Sequence, residues 1–246
     1  MIHTLSVVVP VYNASGTLKE LHRRIRDAAA SEADEVHIIF VDDSSTDDSF
    51  NIISQLTEND SLITGITLET NSGQQNALLC GLRYSQADFA VTIDDDLQYP
   101  PEYIPELIHK INEGYDFVYG IPEKRSESSW RNTGTFLVKI LLQLICMKPK
   151  EIAVSSFRIM RKKLVDEIAL DIRHKIYISA TSFLASENAS VIQMKSKKGP
   201  ETRYSLERLL KVFGNLALYY IPILKQFRKK NEQYKIRKTV GKGAVK

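Results

Sequence analysis

An α/β fold with a mostly parallel central sheet and helices on both faces is what this sequence predicts, and three observations carry it. Short β-branched and aliphatic runs alternate with amphipathic stretches over the first hundred residues. The runs are continuously apolar rather than alternating, as strands covered on both faces must be. An Asn or Asp stands just past the end of each. A chain of 246 residues suffices for one domain with a full hydrophobic core.

The elements follow in order. Leu5–Val11 is a first strand, ending at Tyr12-Asn13, and Ser15–Ala30 a helix with Leu18, Leu21 and Ile25 on one face. Val36–Val41 is a second strand, closed by Asp42-Asp43-Ser44-Ser45, and Thr46–Leu56 a helix with Phe50, Ile53 and Leu56 in phase. Leu62–Leu68, the helix Gln74–Tyr84 and the strand Phe89–Ile93 complete the repeating pattern. Beyond Pro100-Pro101 the spacing predicts a helix over Glu102–Asn112, a strand at Phe117–Tyr119 and a polar loop over Ile121–Trp130. A helix over Asn132–Cys146, a strand at Ser155–Met160, a helix at Lys163–Ala169 and a strand at Ser190–Met194 come next. The basic loop Lys195–Arg203, a helix at Ser205–Leu218 and a fraying basic tail over 225–246 close the chain. Residues 1–224 are expected to form one domain in two halves, 1–120 and 121–224, with 225–246 as a tail.

Composition removes several classes of function. A net charge of +3 is too small for nucleic-acid binding. The two cysteines, Cys80 and Cys146, stand far apart without ligand spacing, so they read as reduced thiols in a cytosolic protein rather than a zinc site. The apolar stretches Phe136–Met147 and Phe213–Leu224 fall short of the ~20 residues that cross a bilayer. PVYNASGT lacks the Gly-rich, cationic phosphate loop of a nucleotidyltransferase, and GxGxxG and Walker patterns are missing.

Ligands of an open parallel sheet bind beyond the carboxyl ends of its strands. Asn13, Asp42-Asp43, Asn71 and Asp94-Asp95-Asp96 each stand just past such an end, so the fold should bring them to one rim. Three successive carboxylates repel one another unless a cation lies among them. On an extended chain Asp94, Asp96 and Gln98 share a face, and oxygen-only ligands suit Mg²⁺ or Mn²⁺. The bland reading, a solvated acidic turn capping the next helix, fits the strand-end position less well.

Val9-Pro10-Val11-Tyr12-Asn13, VDDSSTDDS at 41–49, Asn71-Ser72-Gly73-Gln74 and DDDLQYPPE at 94–102 together resemble the family-2 inverting glycosyltransferases of the GT-A fold. Within that family the chain is most similar to the dolichol-phosphate mannose synthase-like branch, whose strand-end motif commonly reads DADLQ followed by PPE. Arg131 with Thr135, Ser155-Ser156-Phe157-Arg158 and Thr202-Arg203-Tyr204-Ser205 extend the likeness over about 1–210. The resemblance implies a Rossmann-like GT-A domain and a nucleoside-diphosphate sugar as donor. Pro10, Tyr12 and Asn13 would line the nucleotide pocket; Asp42, with Asp43 beside it, would bind the nucleobase. Asn71 and Gly73 would let the following helix approach the donor. Asp94 would contact ribose or sugar with Asp95 alongside, while Asp96 and Gln98 would hold Mg²⁺ or Mn²⁺ on the diphosphate. Asp94, Asp96, Arg125 and Arg131 make up the expected catalytic set. Four departures stand out: Ile121-Pro122 where relatives carry Arg, SSFR for SGFR, Ile152 for an acid, and Ala14 for Glu.

The acceptor follows from chemistry. Transfer to a sugar hydroxyl needs a general base, and the acidic pair followed by QxxRW that often supplies it is missing. A phosphate is already an anion and needs cations to position it. Arg125, Arg131, Thr135, Ser156 and Arg158 are the candidate partners of a polyprenyl phosphate. The alternative is the same donor chemistry on a sugar hydroxyl of a lipid-linked surface polysaccharide. A polyprenyl carrier places the work at the inner face of the cytoplasmic membrane. LLKVFGNLALYYIPILKQFRKK, apolar with a basic flank, offers a peripheral contact there, or a core helix.

Overall fold

A computed structural model describes residues 2–123, 152–195, 214–215, 218–220 and 232–241. β1 (Ile2–Val11), α1 (Leu18–Ala29), β2 (Ala33–Asp42), α2 (Ser49–Asn59), β3 (Ile63–Leu68), α3 (Gln74–Tyr84) and β4 (Phe89–Thr92) reproduce the expected alternation. A 3-10 turn at Pro101–Tyr103 leads into α4 (Ile104–Ile111). β5 (Phe117–Pro122), β6 (Arg158–Arg161), α5 (Lys162–Ala169), α6 (Ile178–Ala185), β7 (Ala189–Met194) and β8 (Ile236–Val240) follow. The expected helix over Asn132–Cys146, the basic loop from Ser196 onward and most of the helix at Ser205–Leu218 lie outside the described residues.

The strands form one sheet in the order β7-β5-β6-β4-β1-β2-β3-β8. β1 pairs in parallel with β2 and β4, and β2 with β3. β6 runs antiparallel between β4 and β5, and β8 antiparallel along β3. The mostly parallel sheet is therefore present, with α1, α2 and α4 on one face and α3, α5 and α6 on the other. Successive residues of β1 explain its unbroken apolar run. Val7 and Val9 enter the core with Leu18, Leu21 and Ile25 of α1, whereas Val8 enters the opposite core with Leu78 and Leu82 of α3. Burying each of those three α1 side chains is worth about 1.5–3 kcal/mol. α3 lies close against the sheet because residue 81 is glycine: a Cβ there would come 2.3 Å from Val8 Cγ1 and 3.1 Å from Val41 Cγ2.

Two expectations are corrected, and one helix appears that the sequence did not predict. α6 was not legible as a helix, because Ile178 through Phe183 are all buried and leave no polar face to set a 3.6-residue period. The tail does not fray over Ile236–Val240, which is the edge strand β8; Arg237 there donates to the Glu69 carbonyl at 2.9 Å. A charged, β-branched strand is a suitable sheet edge. Finally, β5 continues to Pro122, taking Ile121-Pro122 out of the expected polar loop.

Candidate active site

A cavity of about 650 Å³ opens where the strands of the first half end. Pro10 lines it from β1, Tyr12 and Asp43 from just past β1 and β2, Asn71 and Gly73 from the loop after β3, and Asp94, Asp95, Asp96 and Gln98 from the loop after β4. The convergence expected from sequence is thus present. The rim is also where non-glycine residues adopt left-handed backbone: Asn13 (φ 53°), Ser44 (φ 62°) and Leu97 (φ 59°) follow β1, β2 and β4. Such conformations cost about 1–3 kcal/mol each and persist only where surrounding bonds impose them.

Those bonds are on hand. The Asn13 side-chain oxygen accepts the Thr46 N–H at 2.8 Å, and the Asn13 N–H donates to Ser45 Oγ at 2.9 Å. Asn13 therefore braces the β2 loop and is not among the cavity-lining residues. Asp42 is also turned away. Its Oδ2 accepts the Thr67 hydroxyl at 2.6 Å, its Oδ1 accepts the Ser45 N–H at 3.1 Å, and it is 2% exposed. In place of Asp42, Asp43 faces the cavity. Its two oxygens take the backbone N–H groups of Ser72 (2.6 Å) and Gly73 (2.8 Å), fixing the entry to α3. Burial raises the Asp43 pKa, those two N–H bonds oppose the rise, and neighbouring Asp42 adds to it. Gly73 takes φ 88°, a conformation open to glycine at no cost. The helix start beyond it has no side-chain cap.

The acidic run is a turn, correcting the extended-chain reading of its shared face. Leu97 reverses the backbone, so Gln98 donates to Asp96 twice: from its N–H to Oδ1 at 3.0 Å and from Nε2 to Oδ2 at 2.6 Å. Asp95 Oδ2 accepts the Tyr12 N–H at 3.0 Å. Burial raises Asp95 to about 6, against the Tyr12 bond and with Asp94 and Asp96 adding to the rise. Asp94 accepts Gln74 Nε2 at 2.6 Å and the Ser156 hydroxyl. Burial raises its pKa, the Ser156 bond lowers it, and the Asp96 charge raises it further.

The far wall comes from the second half of the chain: Ser156, Arg158, Tyr177 and Ser179. Arg158 is 2% exposed, yet reaches the cavity. Its Nη1 donates to Ser179 Oγ at 2.9 Å, its Nε to Thr92 Oγ1 at 3.2 Å, and its guanidinium lies 5.4 Å from the Tyr119 ring centre. Among the described residues no carboxylate forms a salt bridge with it. Gln74, Tyr99, Tyr177 and Ser179 were missed from sequence. Gln74 and Tyr99 adjoin recognised motifs; Tyr177 and Ser179 arrive from a distant segment without a local signal. Arg125, Arg131 and Thr135 lie outside the described residues.

The cavity offers oxygen donors alone at its acidic end, which fits a hard divalent cation. Among the described residues no three His, Cys, Asp or Glu side chains are assembled as a cage. A cation there would be held by one or two carboxylates, with ligand oxygens completing its shell, the usual manner for Mg²⁺.

A sheet with an acid-rimmed cavity at its strand ends is the arrangement a nucleotide-sugar glycosyltransferase needs, and the comparisons show that class. A family model described as Glycosyl transferase family 2 matches residues 6–169. The chain is 32% identical over 219 residues to undecaprenyl-phosphate 4-deoxy-4-formamido-L-arabinose transferase of Enterobacter sp. (strain 638), covering 88% of this chain and 67% of that one. Among solved structures it matches glucosyl-3-phosphoglycerate synthase from Mycobacterium tuberculosis in complex with Mn²⁺, uridine diphosphate and phosphoglyceric acid, with a TM-score of 0.66 and 17% identity over 89% of this chain and 79% of that one. Mannosyl-3-phosphoglycerate synthase from Rubrobacter xylanophilus matches with a TM-score of 0.63 and 16% identity over 92% and 77%. The chain belongs to glycosyl transferase family 2. It is a glycosyltransferase, built on the fold of these solved enzymes.

Proposed function

We propose that this enzyme moves a sugar from a nucleoside-diphosphate donor to a polyprenyl phosphate, using Mg²⁺ or Mn²⁺ and working peripherally at the inner face of the cytoplasmic membrane. The observation that carries the acceptor assignment is Arg158, a buried cation with no carboxylate in salt-bridge range among the described residues, opening into the cavity beside Ser156 and Ser179. The charge of nearby Asp94 offsets part of the cost of burying this cation, and an anion entering the cavity would complete its pairing. The name of the Enterobacter relative supports the same acceptor class, and the Mn²⁺ and uridine diphosphate of the M. tuberculosis neighbour support the metal and the donor. Among the described residues no helix is long and apolar enough to cross a membrane.

Each residue then has a task. Tyr12, half exposed at the β1 tip, offers its ring to the nucleobase. Asp43 holds Gly73 so that the uncapped start of α3 faces the diphosphate with its N–H groups. Asp96 and Gln98 would hold the divalent ion, which when bound supplies positive charge for the leaving diphosphate. Arg158 draws the acceptor phosphate to the wall opposite, where its own oxygen is the nucleophile and no base is required. Arg125, Arg131 and Thr135 are proposed, from the resemblance, as further phosphate partners. The test is Arg158→Gln: KM for undecaprenyl phosphate should rise at least about tenfold while the donor KM stays unchanged. An unchanged acceptor KM would remove Arg158 from that role.

A further inference from the structure

Ser156 is where the chain departs from the SGFR pattern, and the added hydroxyl lies on a carboxylate of the site. β4 and β6 are antiparallel, with Thr92 opposite Arg158. Two residues past the end of that ladder the same register brings Asp94 opposite Ser156, the geometry in which cross-strand side chains meet. The Ser156 hydroxyl donates to Asp94 Oδ2, while Gln74 Nε2 donates to Oδ1 at 2.6 Å. Ser156 is itself held, since its carbonyl accepts the Thr92 hydroxyl at 2.5 Å, and Thr92 Oγ1 accepts Arg158 Nε at 3.2 Å. The Asp94 carboxylate is therefore clamped at both oxygens by neutral donors from α3 and from the β6 side. Asp96 is also bonded at both oxygens, but only by Gln98 of its own loop, and Asp95 accepts the Tyr12 N–H at one oxygen; Asp94 is the acid of the three held from two separate elements.

We propose that Ser156 is a positioning residue that orients Asp94 to accept a hydroxyl of the donor's sugar. This rests on the nucleotide-sugar reading above. The sugar rather than the ribose follows from the sheet order. The nucleotide-side residues Tyr12, Asp43 and Asn71 stand over β1, β2 and β3, whereas Asp94 and Ser156 stand over β4 and β6, toward Arg158. With one lone pair of each oxygen engaged, Asp94 keeps its remaining acceptor sites for the cavity. A carboxylate held by two outside donors recognises one hydroxyl direction, which a freely turning one does not.

The experiment titrates the wild-type protein, Ser156→Ala and Ser156→Gly with UDP, GDP and dTDP and with the matching nucleotide-glucoses, in Mn²⁺. Both variants should bind the nucleoside diphosphate as the wild type does and lose about tenfold toward the nucleotide-glucose, the scale of a hydrogen bond to a charged group. Ser156→Thr, which keeps the hydroxyl, should recover most of that loss. Equal losses toward both ligands would overturn the proposal, since a structural or ribose role predicts them. Undiminished binding of the nucleotide-glucose by Ser156→Ala would overturn it too. A wild type that binds none of the six ligands would instead remove the donor reading, and this inference with it.

Discussion

The carboxylate of Asp43 accepts the backbone N–H of Gly73 at 2.8 Å, joining the tip of β2 to the start of α3 at the cavity wall. The adjacent Asp42 points the other way, to the hydroxyl of Thr67. Two neighbouring acids thus have separate consequences. Asp43→Ala should weaken nucleoside-diphosphate binding at least about tenfold, because two charge-assisted bonds to the α3 entry are lost. Asp42→Ala should leave that affinity within about twofold but lower stability by roughly 1–3 kcal/mol, since buried polar partners lose their acceptor. Calorimetry with UDP and denaturant melts separate the two; the reverse pattern would return the nucleotide contact to Asp42.

That division shows where sequence reasoning stops. The apolar runs of β1 to β4 and the acids that end them are local features, so the sheet and the rim were legible. Which of Asp42 and Asp43 faces a ligand depends on the backbone reversal at Ser44, and nothing in the residue pair fixes that turn. α6 shows no amphipathic period because it is buried all round, and β8 carries Arg237 and Lys238, which conceal a strand as a basic tail. Tyr177 and Ser179 reach the cavity only through the packing of α6 near α3, where Gln75 Oε1 accepts the Ile178 N–H at 2.9 Å.

Acid should loosen the rim through Asp47. Slight burial pushes this carboxyl up, but bonds from Ser49 and the Ser15 N–H prevail and bring it to about 2. A carboxylate whose folded pKa lies below its unfolded value stabilises the fold above the unfolded pKa, here about 4. That contribution disappears as pH falls from there through 2. Asp47→Asn should therefore melt below the wild type at pH 7 and converge with it near pH 2. A constant gap across that range would contradict the assignment.

Divalent ions should stabilise the protein chiefly together with a nucleoside diphosphate, because Asp96 and Gln98 are a partial shell. With both ligands at about a hundred times Kd, roughly 3 kcal/mol and several degrees in Tm are expected. Asp96→Asn should lose this shift while keeping its ligand-free Tm. An equal shift in the variant would place the ion elsewhere.

A transfer assay distinguishes a phosphate acceptor from a sugar hydroxyl. Purified enzyme with Mn²⁺ and labelled nucleotide sugars is offered vesicles carrying undecaprenyl phosphate or, separately, a lipid-linked saccharide. Label should appear on the undecaprenyl phosphate and be lost in Arg158→Gln. Label on the saccharide alone, with Arg158→Gln unimpaired, would contradict the phosphate-acceptor reading.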